Sequence, residues 1–212
     1  DRWVAARRVS ANGTYNWRLT PWLMPWWMLI PYPEPAAPGG HCWIPIDDET
    51  CWTWTFSWRA DRPLDLGEIA LWDSGGHIHS TLIPGTFQPA ANKDNDYLID
   101  RRLQRGGESF TGIYGSGVQD AAIQEGMGPI YDRRREHLGT SDAAIIAARR
   151  VLLQALRDPS AIAGLDPSSH HVCAVDMDLP KDVPWFEGTR DRQRALEPSP
   201  TTVEEHGTKA RP

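Results

Sequence analysis

Residues 51–58, Cys51-Trp52-Thr53-Trp54-Thr55-Phe56-Ser57-Trp58, alternate large aromatic side chains with small ones. Successive side chains of a β-strand point to opposite faces, so this period of two puts four aromatic rings on one face of a sheet. Tryptophan favours strands and buries a large area, so a densely packed sheet face explains the pattern better than a flat aromatic pocket, by about two to one. Residues 51–58 are therefore predicted to be a strand.

Further strands are predicted on the amino-terminal side of this one. Residues 2–19 and 41–59 have strand character, and Asn12-Gly13 is a strong signal for a tight hairpin. Asp47-Asp48-Glu49-Thr50 is typical of a turn between two strands, and the Pro- and Gly-rich residues 31–40 are typical of a loop. We expect an antiparallel meander over residues 2–59.

Helices are predicted only in the second half of the chain. Residues 118–137 are mainly helical in pattern with a break at 126–129, and Thr140 or Ser141 is a candidate cap for a helix that runs to about Arg157. That helix carries an apolar stripe, which should pack on the sheet; its members are Ile145, Ile146, Leu152, Leu153 and Leu156. A sheet with a long carboxy-terminal helix on it predicts an α+β fold.

Two regions lack a regular pattern. Residues 61–115 are irregular, and a stretch of that length within a compact domain is more often functional than a passive linker. We expect residues 1–165 to form the domain. Residues 166–212 are predicted to be an extended or mobile tail that could wrap a partner subunit.

Bulk properties exclude several classes of protein. The 212 residues carry a formal charge of −6, which argues against a nucleic-acid partner. No apolar run approaches the about 20 residues of a membrane span. Three widely spaced cysteines without a CxxC motif favour reduced thiols and a cytoplasmic location, and cannot by themselves hold an iron–sulfur cluster.

Local spacing singles out few candidates for chemistry. His77 and His79 could share a metal if they lay on a strand, but a surface or sheet-face role is favoured about three to one. His170-His171 carries less signal. Asp120 stands near a predicted helix start, where the helix dipole stabilises a carboxylate. From spacing alone, this structural explanation of Asp120 is favoured over metal binding by about two to one. No nucleophile elbow, Walker A loop or dinucleotide fingerprint is present.

A longer comparison changes the interpretation of Asp120. The segments 118–142, 22–26, 41–49 and 92–101 resemble the phthalate 4,5-dioxygenase and dehydrodivanillate O-demethylase branch of the Rieske non-haem iron oxygenases. The resemblance covers most of residues 15–157. It implies a helix-grip catalytic domain, in which a sheet wraps around a long helix. Asp120 matches the family's carboxylate ligand and is thus the candidate metal-binding and catalytic residue.

The resemblance also implies cofactors and partners. The family binds one Fe(II) through two His and one Asp, and receives NAD(P)H electrons from a reductase or ferredoxin through a Rieske [2Fe–2S] cluster. It uses O₂ to hydroxylate an aromatic substrate, an aromatic acid being expected here, or to remove an O-methyl group. Homotrimers are usual.

Two features of the family have no counterpart here. This chain has no His-x3-4-His pair and no Rieske motif, and its first residue is not Met. We therefore expect a partial oxygenase subunit, inactive alone, whose Rieske domain and histidine ligands would precede Asp1. Substrate contacts are left open between residues 22–28, residues 73–115 and an Arg partner from Arg101, Arg102 and Arg105.

Two alternatives remain at this level. One is a non-catalytic helix-grip module that binds an apolar ligand, and the other is a structural or interaction protein. The long match around Asp120 argues against the first, and the tryptophan-rich sheet argues for an interior that the second would not need.

Overall fold

A computed structural model describes residues 2–32, 36–59, 61–161 and 173–194 and has an α+β fold, which confirms the predicted class. The strands are β1 (Arg2–Val9), β2 (Tyr15–Leu23), β3 (Trp27–Ile30), β4 (Gly39–Pro45), β5 (Cys51–Ser57) and β6 (Val175–Leu179). The α-helices are α1 (Leu66–Asp73), α2 (Arg101–Gly106), α3 (Ser116–Gly126), α4 (Ala143–Arg157), α5 (Trp185–Gly188) and α6 (Arg190–Arg194). Short 3-10 turns occupy Lys93–Leu98, Arg133–Arg135, Thr140–Asp142 and Pro159–Ala161.

The sheet is an antiparallel meander in the order β1-β2-β3-β4-β5, as predicted for residues 2–59. The predicted hairpin is present, since Val9 pairs with Tyr15 around a loop in which Gly13 has φ +82°. The predicted turn after β4 is also present, because Asp47 Oδ1 accepts hydrogen bonds from the backbone of Glu49 and Thr50.

The main core lies on one face of the sheet, here called the core face. Its centre is Leu19, Val175 and Cys173, all buried, with Trp3 and Trp185 among the side chains packed on them. Leu19 pairs directly with Val175, so a strand from the carboxy-terminal region completes the core around β2.

The region predicted as a tail therefore needs correction where the structure describes it. Residues 175–179 form β6 and pair with β2, and Trp185 of α5 packs against the core cluster. The physical reason is visible in the sequence, because Val175, Met177 and Leu179 alternate with two aspartates and so supply one apolar face. Residues 162–172 and 195–212 lie outside the described residues.

The helical predictions hold in part. α3 ends at Gly126, at the predicted break, and α4 ends at Arg157 as expected. The predicted cap of α4, Thr140 or Ser141, is wrong, because Asp142 is the N-cap residue. The Asp142 carboxylate accepts a hydrogen bond from the Gly139 backbone N–H and not from an N–H of α4. The α4 stripe is also less covered than predicted, since the strand that α4 contacts most is the edge strand β1; Ile145, Leu153 and Leu156 are exposed.

Residues 61–115 contain more regular structure than their composition suggests. Asp65 begins α1 with a capping box to Glu68, and Asp100 caps α2. The turn before α2 is unusual, because Asp96, Tyr97 and Leu98 all have positive φ. Tyr97 Oη donates to Glu125 Oε2 of α3 at 2.6 Å, which ties this turn to α3.

The aromatic residues of β5 share the core face, as predicted, but are not all packed. Phe56 and Trp58 stack with ring centroids 5.8 Å apart, whereas Trp52 and Trp54 are 39% and 54% exposed. The expectation of a densely packed face is thus met at one end of β5 only. No helix among the described residues is long and apolar enough to cross a bilayer.

Candidate functional site

The opposite face of the sheet, here called the site face, carries polar side chains. Strand register places Arg18, His41, Thr55 and Ser57 on it, because each alternates with a residue of the core face. Burial lowers the pKa of His41 to about 4, so its imidazole is neutral near pH 7.

His79 lies directly over this face. Its Nδ1 is 2.9 Å from Thr55 Oγ1 and its Nε2 is 3.4 Å from Ser57 Oγ, while Trp72 packs on the ring at 5.1 Å between centroids. Burial lowers the pKa of His79, and the neighbouring His77 lowers it further. Both ring nitrogens thus face sheet hydroxyls, which places His79 in the sheet-face role favoured from the sequence.

Helix α3 is docked on the loop that carries these histidines. The Gly117 N–H donates to His77 O at 3.0 Å, and a Cβ on Gly117 would overlap the Ile78 carbonyl oxygen. A Cβ on Gly115 would overlap the Gly75 carbonyl oxygen in the same way. His77 itself has φ +54°, a conformation that costs about 1–3 kcal/mol for a residue other than glycine.

Asp120 lies three residues after Gly117 in α3, and residues at this spacing share one face of a helix. Asp120 is therefore on the side of α3 that is docked on the 75–78 loop. Its side chain is solvent-exposed and makes no hydrogen bond or ion pair within the described part of the chain. Neighbouring atoms nevertheless displace part of its hydration, and this burial raises the pKa of the carboxyl. Asp120 is therefore an accessible carboxylate whose oxygens are open to a further partner.

The charge of Asp120 acts on Tyr32, which follows strand β3. Burial raises the pKa of its hydroxyl, the Arg18 guanidinium opposes that rise, and the Asp120 carboxylate adds to it. Its ring packs against His77 with centroids 5.0 Å apart. The backbone next to Tyr32 is held by the sheet, because Arg18 Nη2 of β2 donates a hydrogen bond to Pro31 O at 2.8 Å.

Arg18 is in turn held by β6. Its Nε lies 3.3 Å from Asp176 Oδ2, and the other Asp176 oxygen accepts from Asn16 Nδ2 at 2.8 Å. The side chain of Asp176 is only 12% exposed, so this ion pair is more sheltered than a surface one. The carboxy-terminal strand thus supports the site through Arg18.

A cavity of about 360 Å³ opens beside Tyr32. Its wall is mainly aromatic and aliphatic, and it is lined by Tyr32, Ala36, Ala37, Ser57, Glu68, Leu71, Trp72, His77, Ile78 and His79. Glu68, one of the lining residues, is held as an anion, because hydrogen bonds from Arg62, the Asp65 backbone and Arg59 lower its pKa to about 2. We call this cavity the aromatic pocket.

The sequence identified some of these residues and missed others. His77 and His79 belong to the 73–115 segment named as a candidate for substrate contacts, and residues 22–28 do not line the aromatic pocket. Arg101, Arg102 and Arg105 are exposed on α2. Tyr32, Arg18 and Trp72 were not singled out, since none stands in a motif. His170 and His171 lie outside the described residues.

The fit of these residues to a metal is partial. No group of three or more His, Cys, Asp and Glu side chains suited to a metal ion occurs within residues 2–32, 36–59, 61–161 and 173–194. Asp120 fits one carboxylate position of a 2-His-1-carboxylate iron site, because its oxygens are accessible and unpaired. Within the described residues, Asp120 is thus a candidate for the carboxylate position of such a site.

Comparison with known families assigns the chain. Residues 1–208 match the family model described as LigXa C-terminal domain like. The chain belongs to this family. Relatives of this LigXa C-terminal domain-like chain include the 3-chlorobenzoate-3,4-dioxygenase oxygenase subunit of Comamonas testosteroni, 38% identical over 174 residues, which cover 76% of this chain and 40% of the relative. The phthalate 4,5-dioxygenase oxygenase subunit of Pseudomonas putida is 32% identical over 192 residues, which cover 87% of this chain and 43% of the relative.

The predicted resemblance to Rieske-type aromatic oxygenases is thereby confirmed for this LigXa C-terminal domain-like chain. The chain spans about two-fifths of the length of both relatives. Its α+β architecture is consistent with a helix-grip catalytic domain.

Proposed function

We propose that this chain is the catalytic-domain part of an oxygenase subunit that hydroxylates an aromatic acid, with Asp120 as a ligand of mononuclear Fe(II). Both curated relatives are named as oxygenase subunits of dioxygenases, one for 3-chlorobenzoate and one for phthalate. The observation that carries the proposal is the placement of Asp120 on the docked side of α3, exposed and without a partner among the described residues.

The complete enzyme needs groups that the described residues do not supply. Two imidazole ligands and a [2Fe–2S] cluster would come from elsewhere in the protein, and NAD(P)H electrons from a reductase or ferredoxin. When bound, the iron would supply the activation of O₂. We further propose a homotrimer, as the resemblance implies, and a cytoplasmic location, which the free cysteines favour.

The residues of this chain would position the reactants. The docking of Gly115 and Gly117 on the 75–78 backbone fixes the helix that presents Asp120. The aromatic pocket gives a planar ring an apolar surface close to that helix. His79 is held neutral by burial, so it adds polarity to the pocket without adding charge.

The proposal is tested by replacing Asp120 in the purified protein, together with its reductase. Asp120→Ala should abolish iron retention and aromatic-dependent O₂ uptake, because a two-imidazole site lacks the carboxylate that completes it. Asp73→Ala is the matched control, since Asp73 is an exposed aspartate at the end of another helix, and it should retain wild-type iron and turnover. Wild-type iron content in Asp120→Ala would refute the assignment.

The same measurements separate the other possibilities. A helix-grip module that only binds apolar ligands would contain no iron in wild type and would consume no O₂. Hydroxylation and O-demethylation are distinguished by the products, since only a methoxylated substrate that loses its methyl group releases formaldehyde. We expect hydroxylation, in line with the names of both relatives.

A further inference from the structure

Helix α3 carries large apolar side chains on two opposite sides. Val118 is buried against the rest of the described chain. Ile123 and Met127 follow it by five and nine residues, which at about 100° per residue places them about 140° and 180° around the helix axis from Val118. Their side chains are 69% and 49% exposed. A surface helix has its apolar residues in one stripe, so a second apolar side is typical of a helix that is covered there as well.

The exposed pair Ile123 and Met127, which we call the α3 strip, lies next to Asp120. The two residues come three and seven positions after Asp120, so all three lie within about 60° of one another around the helix axis. The Asp120 carboxylate is exposed and has no partner within the described part of the chain. An accessible carboxylate therefore borders an accessible apolar surface.

Metal binding at Asp120 limits what can cover the α3 strip. A first-row metal ion is held by several protein side chains, and the described residues contain no group of three or more that could hold one with Asp120. The other ligands must then come from residues that are not among those described. Ligand atoms lie about 2 Å from such an ion, so the atoms of two ligands are within about 4 Å of each other. A segment that comes this close to Asp120 also meets the next turn of α3, about 5.4 Å further along.

The length of the relatives indicates where this segment belongs. The matched region makes up 40% of one curated relative and 43% of the other, so most of a subunit of that length lies outside residues 1–212. We propose that the segment of the oxygenase subunit that supplies the other iron ligands packs on Ile123 and Met127, with its imidazoles directed at Asp120 and apolar side chains on the α3 strip. This inference rests on the proposed function for the metal, and it adds the surface of this chain that positions the segment.

The test introduces a photo-cross-linking residue, benzoylphenylalanine, in place of Ile123 in the complete oxygenase subunit. Irradiation should join position 123 to a histidine-containing peptide of the same subunit that lies outside residues 1–212, without doubling the mass of the subunit on a denaturing gel. The matched control has the same replacement at Glu125, on the other side of α3. Glu125 accepts the hydrogen bond from Tyr97 Oη, so position 125 should be joined to the turn Lys93–Leu98.

Several results of this cross-linking would overturn the inference. They are a link from position 123 to residues 1–212, a link to a second copy of the subunit, a link to a segment without histidine, and no link while position 125 gives its own.

A second measurement uses the wild-type subunit. Met127 is 49% exposed in this chain, whereas Met177 packs on the core cluster. If the α3 strip is covered, hydrogen peroxide should convert Met127 to the sulfoxide no more than about two-fold faster than Met177, and a larger ratio would contradict the inference. The iron content of Asp120→Ala tests the proposed function separately. Wild-type iron in that variant would refute the proposed function without changing the cross-link, and a wrong cross-link would refute this inference without changing the iron content.

Discussion

Replacing Gly117 by alanine tests whether α3 is rigidly docked on the loop that precedes it. An added Cβ would overlap the Ile78 carbonyl oxygen and would lie 3.2 Å from Ile78 Cα. The Gly117 N–H already donates to His77 O at 3.0 Å, so the two backbones are in contact and neither is a flexible side chain that could turn away. Alanine should therefore push α3, and with it Asp120, away from the loop.

The size of the effect follows from two opposing contributions. Helix propensity favours alanine over glycine by about 0.5–1 kcal/mol. Overpacking against backbone atoms costs about 1–3 kcal/mol. We expect Gly117→Ala to lower the free energy of unfolding by about 1–2 kcal/mol. Gly126 in the same helix is the matched control, because a Cβ there would have no neighbour within 4 Å, and Gly126→Ala should be neutral or stabilising by up to about 1 kcal/mol.

The assay is urea unfolding of both variants, followed by far-ultraviolet circular dichroism and tryptophan fluorescence. The iron content of Gly117→Ala should also fall below that of Gly126→Ala, because only the former moves Asp120. If Gly117→Ala unfolds at the same urea concentration as Gly126→Ala or a higher one, the close approach of α3 to Ile78 is wrong and the placement of Asp120 loses its support.

Two further predictions concern the sheet. The pKa of His41 is lowered from 6.5 to about 4, so between these values the unfolded state binds a proton that the folded state does not; stability should fall as the pH drops through this window, by on the order of 3 kcal/mol in total. His41→Gln should flatten the pH dependence of the melting temperature, whereas His137→Gln, at an exposed histidine, should not. If the melting temperatures of both variants change equally with pH, the burial of His41 is contradicted. Leu19→Ala removes a side chain with 0% exposure and should cost about 2–5 kcal/mol in urea unfolding, against less than about 1 kcal/mol for the exposed Leu66→Ala. A loss at Leu19 as small as that at Leu66 would show that the core does not centre on β2.

The predictability of the fold depended on how far apart in the chain the interacting residues lie. The alternation in residues 51–58 and the Asn12-Gly13 turn act locally, so the meander followed from short patterns. The same alternation occurs in residues 175–179, but five residues within a region rich in proline and charge are a weak signal. What makes them a strand is the pairing with β2, which joins positions 160 residues apart and which no local window contains.

The candidate site divides in the same way. Asp120 was identified because a long ordered motif surrounds it, although its spacing alone favoured a helix-dipole role. Tyr32 stands in a Pro-rich loop and had no such motif. Its place beside the aromatic pocket comes from the Arg18 bond to Pro31 and from its packing on His77, and both contacts depend on the tertiary fold.

The position of β6 has a consequence for how the chain can be divided. The centre of the sheet stays incomplete until residues 175–179 are present, because Val175 covers Leu19 and Asp176 holds Arg18. Bringing β6 to β2 closes a loop of about 160 residues, which costs conformational entropy. That cost is offset only when β6 docks on β2. A piece of this protein that stops at the end of α4 would therefore expose its own core, and any shortened version must extend past Leu179 to keep Tyr32 in place.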